Sequence, residues 1–233
     1  MKILSFDTSN IYSSVSISDG DNILYAKKDL TPNAQAEKLV FLIEEALEKS
    51  NLTYPDINYL AVSCGPGSFT GIRIALATAR GILLSANHIK PIAVNNFQMI
   101  NYRIRQQFMA FDHAITTVNA HREQLYLQVF NKKNEQTEPI LVNLEEAKEL
   151  VQKMDGIKVL GGSGLDQIFN IASYNHYGEI VILPRFAYPD ARFICKLAHI
   201  QIIQHKENTN IEPLYIRVPD AKLPLMGFSR QSL

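Results

Sequence analysis

Hydrophobic and polar positions change period several times along the chain, and each change marks an element. Ile3 to Phe6 form a nearly continuous apolar run ending at Asp7-Thr8-Ser9, as a buried strand does. Ser14, Val15, Ser16 and Ile17 alternate as a second strand, and Asp19-Gly20 turns the chain into a third, Ile23 to Lys27. From Pro32 the period lengthens: Leu39, Leu42, Ile43, Ala46 and Leu47 share one face, with Glu37, Lys38, Glu44, Glu45 and Glu48 opposite, which predicts a helix starting near Pro32. A strand at Tyr59 to Val62 breaks at Gly65-Pro66-Gly67-Ser68-Phe69-Thr70-Gly71-Ile72-Arg73. A helix capped by Ser68 or Thr70 then runs to Ala86. A short strand near Pro91 to Val94 and a helix from Phe97 to Gln107 follow.

The order then begins again. Ala114 to Val118 predicts a strand ending at Asn119; Leu125, Leu127 and Val129 alternate as a second; Glu138 to Val142 gives a third; and a helix spans Leu144 to Met154. Next come a strand at Lys158 to Leu160, a glycine turn at Gly161-Gly162-Ser163-Gly164, a helix through Ile168 and Ile171, a strand at Ile180 to Leu183 and a helix from about Asp190 to Gln204. A strand-like piece, Leu214 to Arg217, precedes a tail punctuated by Pro219, Pro224 and Gly227. Both halves therefore read βββαβαβα, an α/β class with a mixed sheet in each. This duplicated order resembles the actin-like (ASKHA, RNase H-like) plan of two lobes flanking a nucleotide cleft. The expected lobes are residues 1–107 and 108–233, with the tail packing back on the first.

The glycine string and the helix behind it hold the most unusual pattern. Gly71, Ala75 and Ala79 recur every fourth residue, so one helix face carries almost no side-chain bulk and a second backbone can approach it. Periodicity alone leaves open whether that backbone belongs to the chain's own sheet or to another protein.

Composition narrows the chemistry. Lys plus Arg and Asp plus Glu each total 23, so no global field draws the chain to nucleic acid, and a role on RNA has to be local or indirect. Cys64 and Cys195 are too few for a disulfide framework or a zinc cluster and fit a reduced, cytoplasmic setting. No apolar run approaches the ~20 residues of a membrane span. A phosphotransferase of the actin-like plan would use Asp7, Thr8 and Ser9 for phosphate and metal-bound water, and Gly161 and Gly162 for adenosine. The second half, however, offers Asn119-Ala120-His121 where a carboxylate is expected. A two-metal nuclease would need an acid at the end of the fourth strand, where Ser63-Cys64 stands. No two of the six histidines have the helical spacing of a metal pair, and no serine lies in a Gly-x-Ser-x-Gly turn.

Taken together, Gly65 to Arg73 after a strand, the Asp7-Thr8-Ser9 turn, Asn119 to Tyr126, Tyr188 to Ala191 and Pro213 to Arg217 closely resemble the TsaB (YeaZ) family. Gln35, Asn119 and His121 depart from that family's pattern. The resemblance implies a non-catalytic scaffold that binds TsaD and supports threonylcarbamoyl transfer to adenosine 37 of tRNA. It further implies that TsaE joins through the TsaB–TsaD complex, that tRNA is met only indirectly, and that two copies pair through the same helices when TsaD is absent. No catalytic residue, metal or cofactor is expected, ATP being the one cofactor to weigh. The partner surface is expected on the first two helices: Leu39 and Ile43 on one, Gly71, Ile72, Ile74, Ala75, Thr78 and Ala79 on the other. Two alternatives are an ATP-dependent small-molecule kinase of the same superfamily and a peptidase acting on TsaD. If the small-residue face is the interface, replacing Ala75 by Leu is expected to abolish co-purification with TsaD and leave a folded monomer.

Overall fold

The computed structural model describes residues 1–165, 179–183 and 188–217. The first half contains β1 (Lys2–Asp7), β2 (Ser13–Asp19), β3 (Asn22–Asp29), α1 (Gln35–Lys49), β4 (Tyr59–Ser63), α2 (Phe69–Ser85), β5 (Lys90–Val94) and α3 (Asn96–Gln107). The second contains β6 (His113–Asn119), β7 (Gln124–Asn131), β8 (Ile140–Asn143), α4 (Leu144–Lys153), β9 (Lys158–Gly162), β10 (Ile180–Leu183) and α5 (Ala191–Ile203). The sheets run β3-β2-β1-β4-β5 and β10-β9-β6-β7-β8, the second being the first repeated with its strands written in reverse. In each, a three-stranded antiparallel meander is extended by two parallel strands. Crossover helices are what parallel pairing requires, so the βββαβα order read from the sequence leads directly to this sheet.

Three expected boundaries move. The first helix begins at Gln35, not at Pro32, because Asn33 takes a left-handed conformation (φ 59°) and its amide donates to the Ile11 carbonyl at 3.0 Å, holding this turn outside the helix. Gly161 and Gly162 are not a turn: both lie in β9, paired with β6. A Cβ on Gly162 would sit 1.8 Å from the Thr117 carbonyl oxygen, and one on Gly161 would sit 3.0 Å from Ile100, so the two glycines let β6 and α3 close onto β9. Residues 214–217 form no strand; the main-chain bond from the Leu214 amide to the Cys64 carbonyl at 2.8 Å is joined by side-chain bonds of Tyr215 and Arg217. The expected helix through Ile168 and Ile171 and the tail features at Pro219, Pro224 and Gly227 lie outside the described residues.

Each sheet is covered on one face by its own helices and on the other by a helix from the opposite half. Val15, Ile17, Leu60 and Val62 of the first sheet bury against Leu39, Ile43, Ala75 and Ala79 of α1 and α2. On the second sheet Leu127 and Val129 bury against Ala147 and Val151 of α4. The remaining faces exchange partners: α5, from the end of the chain, packs on β1 and β2, while α3, from the first half, packs on β6 and β9. Phe97, Met99, Ile100 and Ile104 of α3 form one core with Ile194, Cys195, Ala198 and Ile202 of α5 and with residues of both sheets. The division into 1–107 and 108–233 thus separates the strands but not the helices.

The first sheet is prepared for α5 by serine. Ser5, Ser14, Ser16 and Ser18 are all buried, although alternation with Val15 and Ile17 resembles a strand with one wet face. Their small side chains admit the helix, and their hydroxyls fasten it. Ser5 Oγ donates to the Ala191 carbonyl at 2.7 Å, and the Ala191 amide donates to Ser14 Oγ at 3.1 Å. Asp190 caps the helix, accepting from the Arg192 amide, and pairs with Lys28 of β3 at 2.9 Å. Burial by itself would raise the Asp190 carboxyl, but hydrogen bonds from Arg192 and Lys28 hold it below the usual carboxylate range.

A fragment ending at residue 107 lacks α5 and exposes this serine face together with the apolar side of α3. It is expected to show no cooperative thermal transition by circular dichroism, whereas the full chain melts as one unit. A sharp transition in the fragment would show that the exchange is dispensable.

Candidate functional site

The glycine string forms the connection between β4 and α2, folded against the β1–β2 turn. Gly67 and Gly71 are required by close approach: a Cβ on Gly67 would lie 2.3 Å from the Ser9 carbonyl oxygen, and one on Gly71 1.9 Å from that of Thr8. The Gly65–Pro66 peptide is cis. Ser68 caps α2 by accepting from the Gly71 amide at 3.2 Å, and its own amide donates to the Ser9 carbonyl at 2.8 Å.

Asn96, at the start of α3, ties the turns together. Its Nδ2 donates to Ser9 Oγ at 2.7 Å and to the Pro66 carbonyl at 2.8 Å. Its Oδ1 accepts from Ser63 Oγ at 2.8 Å, and its backbone amide donates to the Gly65 carbonyl at 2.7 Å. Ser9 Oγ in turn donates to Asp7 Oδ1 at 2.6 Å, and Thr8 Oγ1 donates to the Gly71 carbonyl at 2.7 Å. All these groups are buried, and in a medium of low polarity such a network is stabilising only when its members are satisfied. The side chains of Asp7, Thr8 and Ser9, expected to meet phosphate and metal-bound water, are therefore engaged by the protein itself. Gly161 and Gly162, expected to face them across a cleft, are buried in β9. Among the described residues no three His, Cys, Asp or Glu side chains are grouped to hold a metal. Sequence reading missed Asn96; its signal was an Asn95-Asn96 pair opening a helix directly after a strand, where one amide caps and the other is free for tertiary bonding. Asn95 is the cap, accepting from the Gln98 amide at 2.7 Å.

Outside this network the string faces a cleft of about 630 Å³ between the two halves, lined by Phe69, Thr70, Arg73, His121, Tyr215 and Arg217 among others, with no carboxylate among the described lining residues. Arg73 lies 3.7 Å over the Phe69 ring and donates from Nε to the Tyr215 hydroxyl at 3.1 Å, so the string's last residue pins the 213–217 segment across the cleft wall. The departures have local roles. The Gln35 side chain donates to the Asn10 carbonyl, joining α1 to the β1–β2 turn. Asn119 Oδ1 accepts from the His121 amide at 2.7 Å, opening a β6–β7 turn in which His121, Arg122 and Glu123 are all left-handed.

The expected partner residues need the largest correction. Gly71, Ile72, Ala75, Ala79, Leu39 and Ile43 are buried in the first half's own core, and Ile74 and Thr78 are only half-exposed. The small-residue stripe faces inward because α2 must pass within contact of the Thr8 backbone and lie on β4. Replacing Ala75 by Leu would thus overpack this core, at about 1–3 kcal/mol, and does not test an interface. What α1 and α2 present outward is different: Val40 is 48% exposed, Phe41 69% and Leu84 87%. The signal was the run Leu39-Val40-Phe41-Leu42-Ile43, too wide an apolar band for one buried helix face.

Two like-ordered mixed sheets with an inter-half cleft define an actin-like α/β protein. The family model described as "TsaD: tRNA N6-adenosine threonylcarbamoyltransferase" matches residues 29–211. A tRNA threonylcarbamoyladenosine biosynthesis protein TsaB from Buchnera aphidicola subsp. Baizongia pistaciae is 28% identical over 228 residues, 92% of this chain and 97% of that one. The protein of the same description from Escherichia coli K12 is 28% identical over 170 residues, 70% of this chain and 72% of its own. YeaZ from Pseudomonas aeruginosa superposes with a TM-score of 0.75 at 17% identity, covering 92% of this chain and 99% of that one, a likeness of fold. The chain belongs to the TsaD family, in its TsaB (YeaZ) branch.

The Asp7 carboxyl is pushed up to about 6, chiefly by burial, against the lowering effect of hydrogen bonds from Ser9 and Ser63. A raised folded-state pKa favours the neutral acid, so its stabilisation is complete below the unfolded value near 4 and is lost as pH rises towards 6. Two units correspond to about 3 kcal/mol. Asp7→Asn keeps an acceptor for Ser9 and removes this penalty. Chemical denaturation is expected to show the variant gaining up to about 3 kcal/mol over the parent at pH 7.5 and little at pH 4; a difference independent of pH would contradict the assignment.

Proposed function

We propose that the chain is a non-catalytic subunit in tRNA threonylcarbamoyladenosine biosynthesis that binds a TsaD-type transferase through the outward ridges of α1 and α2. It supports transfer of the threonylcarbamoyl group to adenosine 37 of tRNA by holding the transferase in its working form. A TsaE-type protein joins the pair, tRNA is contacted chiefly by the partner, and a second copy occupies the same ridges when the partner is absent. The names of the relatives support the process. The observation that carries the role is a contrast within one lobe: side chains suited to phosphate chemistry are turned inward onto Asn96 and α2, while Val40, Phe41 and Leu84 stand in solvent on two neighbouring helices. Exposed apolar groups on rigid helices mark association surfaces. Burial also leaves the two thiols poor nucleophiles, pushing Cys64 up to about 11 and raising Cys195.

Phe41→Glu changes an exposed side chain and is expected to leave the melting temperature within a few degrees of the parent. It should reduce co-purification with the TsaD-type protein of the same organism at least tenfold and lower tRNA modification in a reconstituted reaction. Undiminished co-purification of the Val40→Glu, Phe41→Glu double variant would overturn the surface.

A further inference from the structure

A second cleft, of about 800 Å³, lies between the outward faces of α3 and α5, with the β7–β8 hairpin and the segment after α5 as its ends; it reaches Cys64 at the base of the signature loop and shares Leu214 with the first cleft. Nine of its nineteen lining residues are asparagine or glutamine. Several of these are already engaged: Asn101 Nδ2 donates to Asn134 Oδ1 at 2.7 Å, and Gln201 Oε1 accepts from the Asn208 amide at 3.2 Å. Gln98, Gln136 and Gln204, one on each of three walls, have side chains without a hydrogen-bond partner among the described residues.

We propose that this trough binds an extended, uncharged peptide segment of a partner protein. A carboxamide carries one acceptor oxygen and a two-proton donor, the complement of a peptide group, so a row of them can pair with successive main-chain N–H and C=O groups. The apolar floor contributed by Phe130, Leu197 and Leu214 suits one aliphatic side chain of such a segment. Charge separates this occupant from RNA. Arg105 is spent within the protein, donating to Asn101 Oδ1 and to the Lys132 carbonyl at 3.1 Å each and to the Asn131 carbonyl. The remaining charged lining, Lys206 and Glu212, cancels, leaving no row of cations to neutralise phosphates. The site does not depend on the α1–α2 ridges or on the family reading.

The experiment follows the side-chain NH₂ resonances of the ¹⁵N-labelled full chain during titration. The probes are acetylated, amidated octapeptides built from Ser, Thr, Asn and Leu and, separately, a uridine dodecamer. The peptides are expected to shift the Gln98, Gln136 and Gln204 signals saturably. The Gln98→Glu, Gln204→Glu variant, which removes two donors, is expected to bind about tenfold more weakly at an unchanged melting temperature. Gln136→Glu, in the exposed hairpin, provides a second test should the double variant melt early. Response to the dodecamer without response to the peptides, no shift at millimolar peptide, or unaltered affinity in the variants would each overturn the proposal.

Discussion

The exchange of α3 and α5 between the two sheets is the constraint on which the rest of the molecule depends. A sheet with parallel strands needs cover on both faces, and among the described residues each half covers one face of its own sheet. The missing cover comes from the other half. The core around Phe97, Ile104, Ile194 and Ala198 is therefore shared, and the two halves are held by apolar packing as well as by polar contacts. Asp190 secures the crossing: it caps α5 and pairs with Lys28 on β3. Arg103 on α3 donates to the Tyr188 carbonyl just before that cap.

This crossing also places the signature string. Because α3 begins where β5 ends and is committed to the second sheet, Asn96 is fixed beside the β1–β2 turn and the Gly65–Gly71 loop. From there it bonds to both. The loop cannot move as a phosphate flap without breaking several buried hydrogen bonds, each costly to leave unmade. The loop, the β1–β2 turn and the start of α3 therefore form one hydrogen-bonded joint beside α1 and α2. The cost falls on Asp7, a carboxyl kept in a dry site with two hydroxyls for company.

Burial reassigns side chains that look alike in the sequence. Ala75 and Ala77 are two residues apart on α2; the first is fully buried and the second exposed. Leu39 and Phe41 are related in the same way on α1. The apolar stripe read from the 3.6-residue period correctly marks the face that meets a partner of some kind. That partner is the chain's own sheet, and the flanking band which the same period treats as excess stays exposed.

Local pattern by itself determined the elements. Continuous apolar runs identified β1 and β4, alternation identified β2 and β7, and the glycine string with its serine cap located the start of α2; repetition of the order implied two similar sheets. These follow from short-range stereochemistry, in which side-chain period and capping are set by neighbours a few residues apart. Only the tertiary structure decided what covers each face. Ser14, Ser16 and Ser18 look solvent-facing by alternation, yet are buried because α5 arrives from about 180 residues away. Gly161 and Gly162 look like a turn, yet form a strand because α3 and β6 need to close upon it. Amphipathic period states that a face must be covered, and carries no information about which distant element, own or foreign, will cover it.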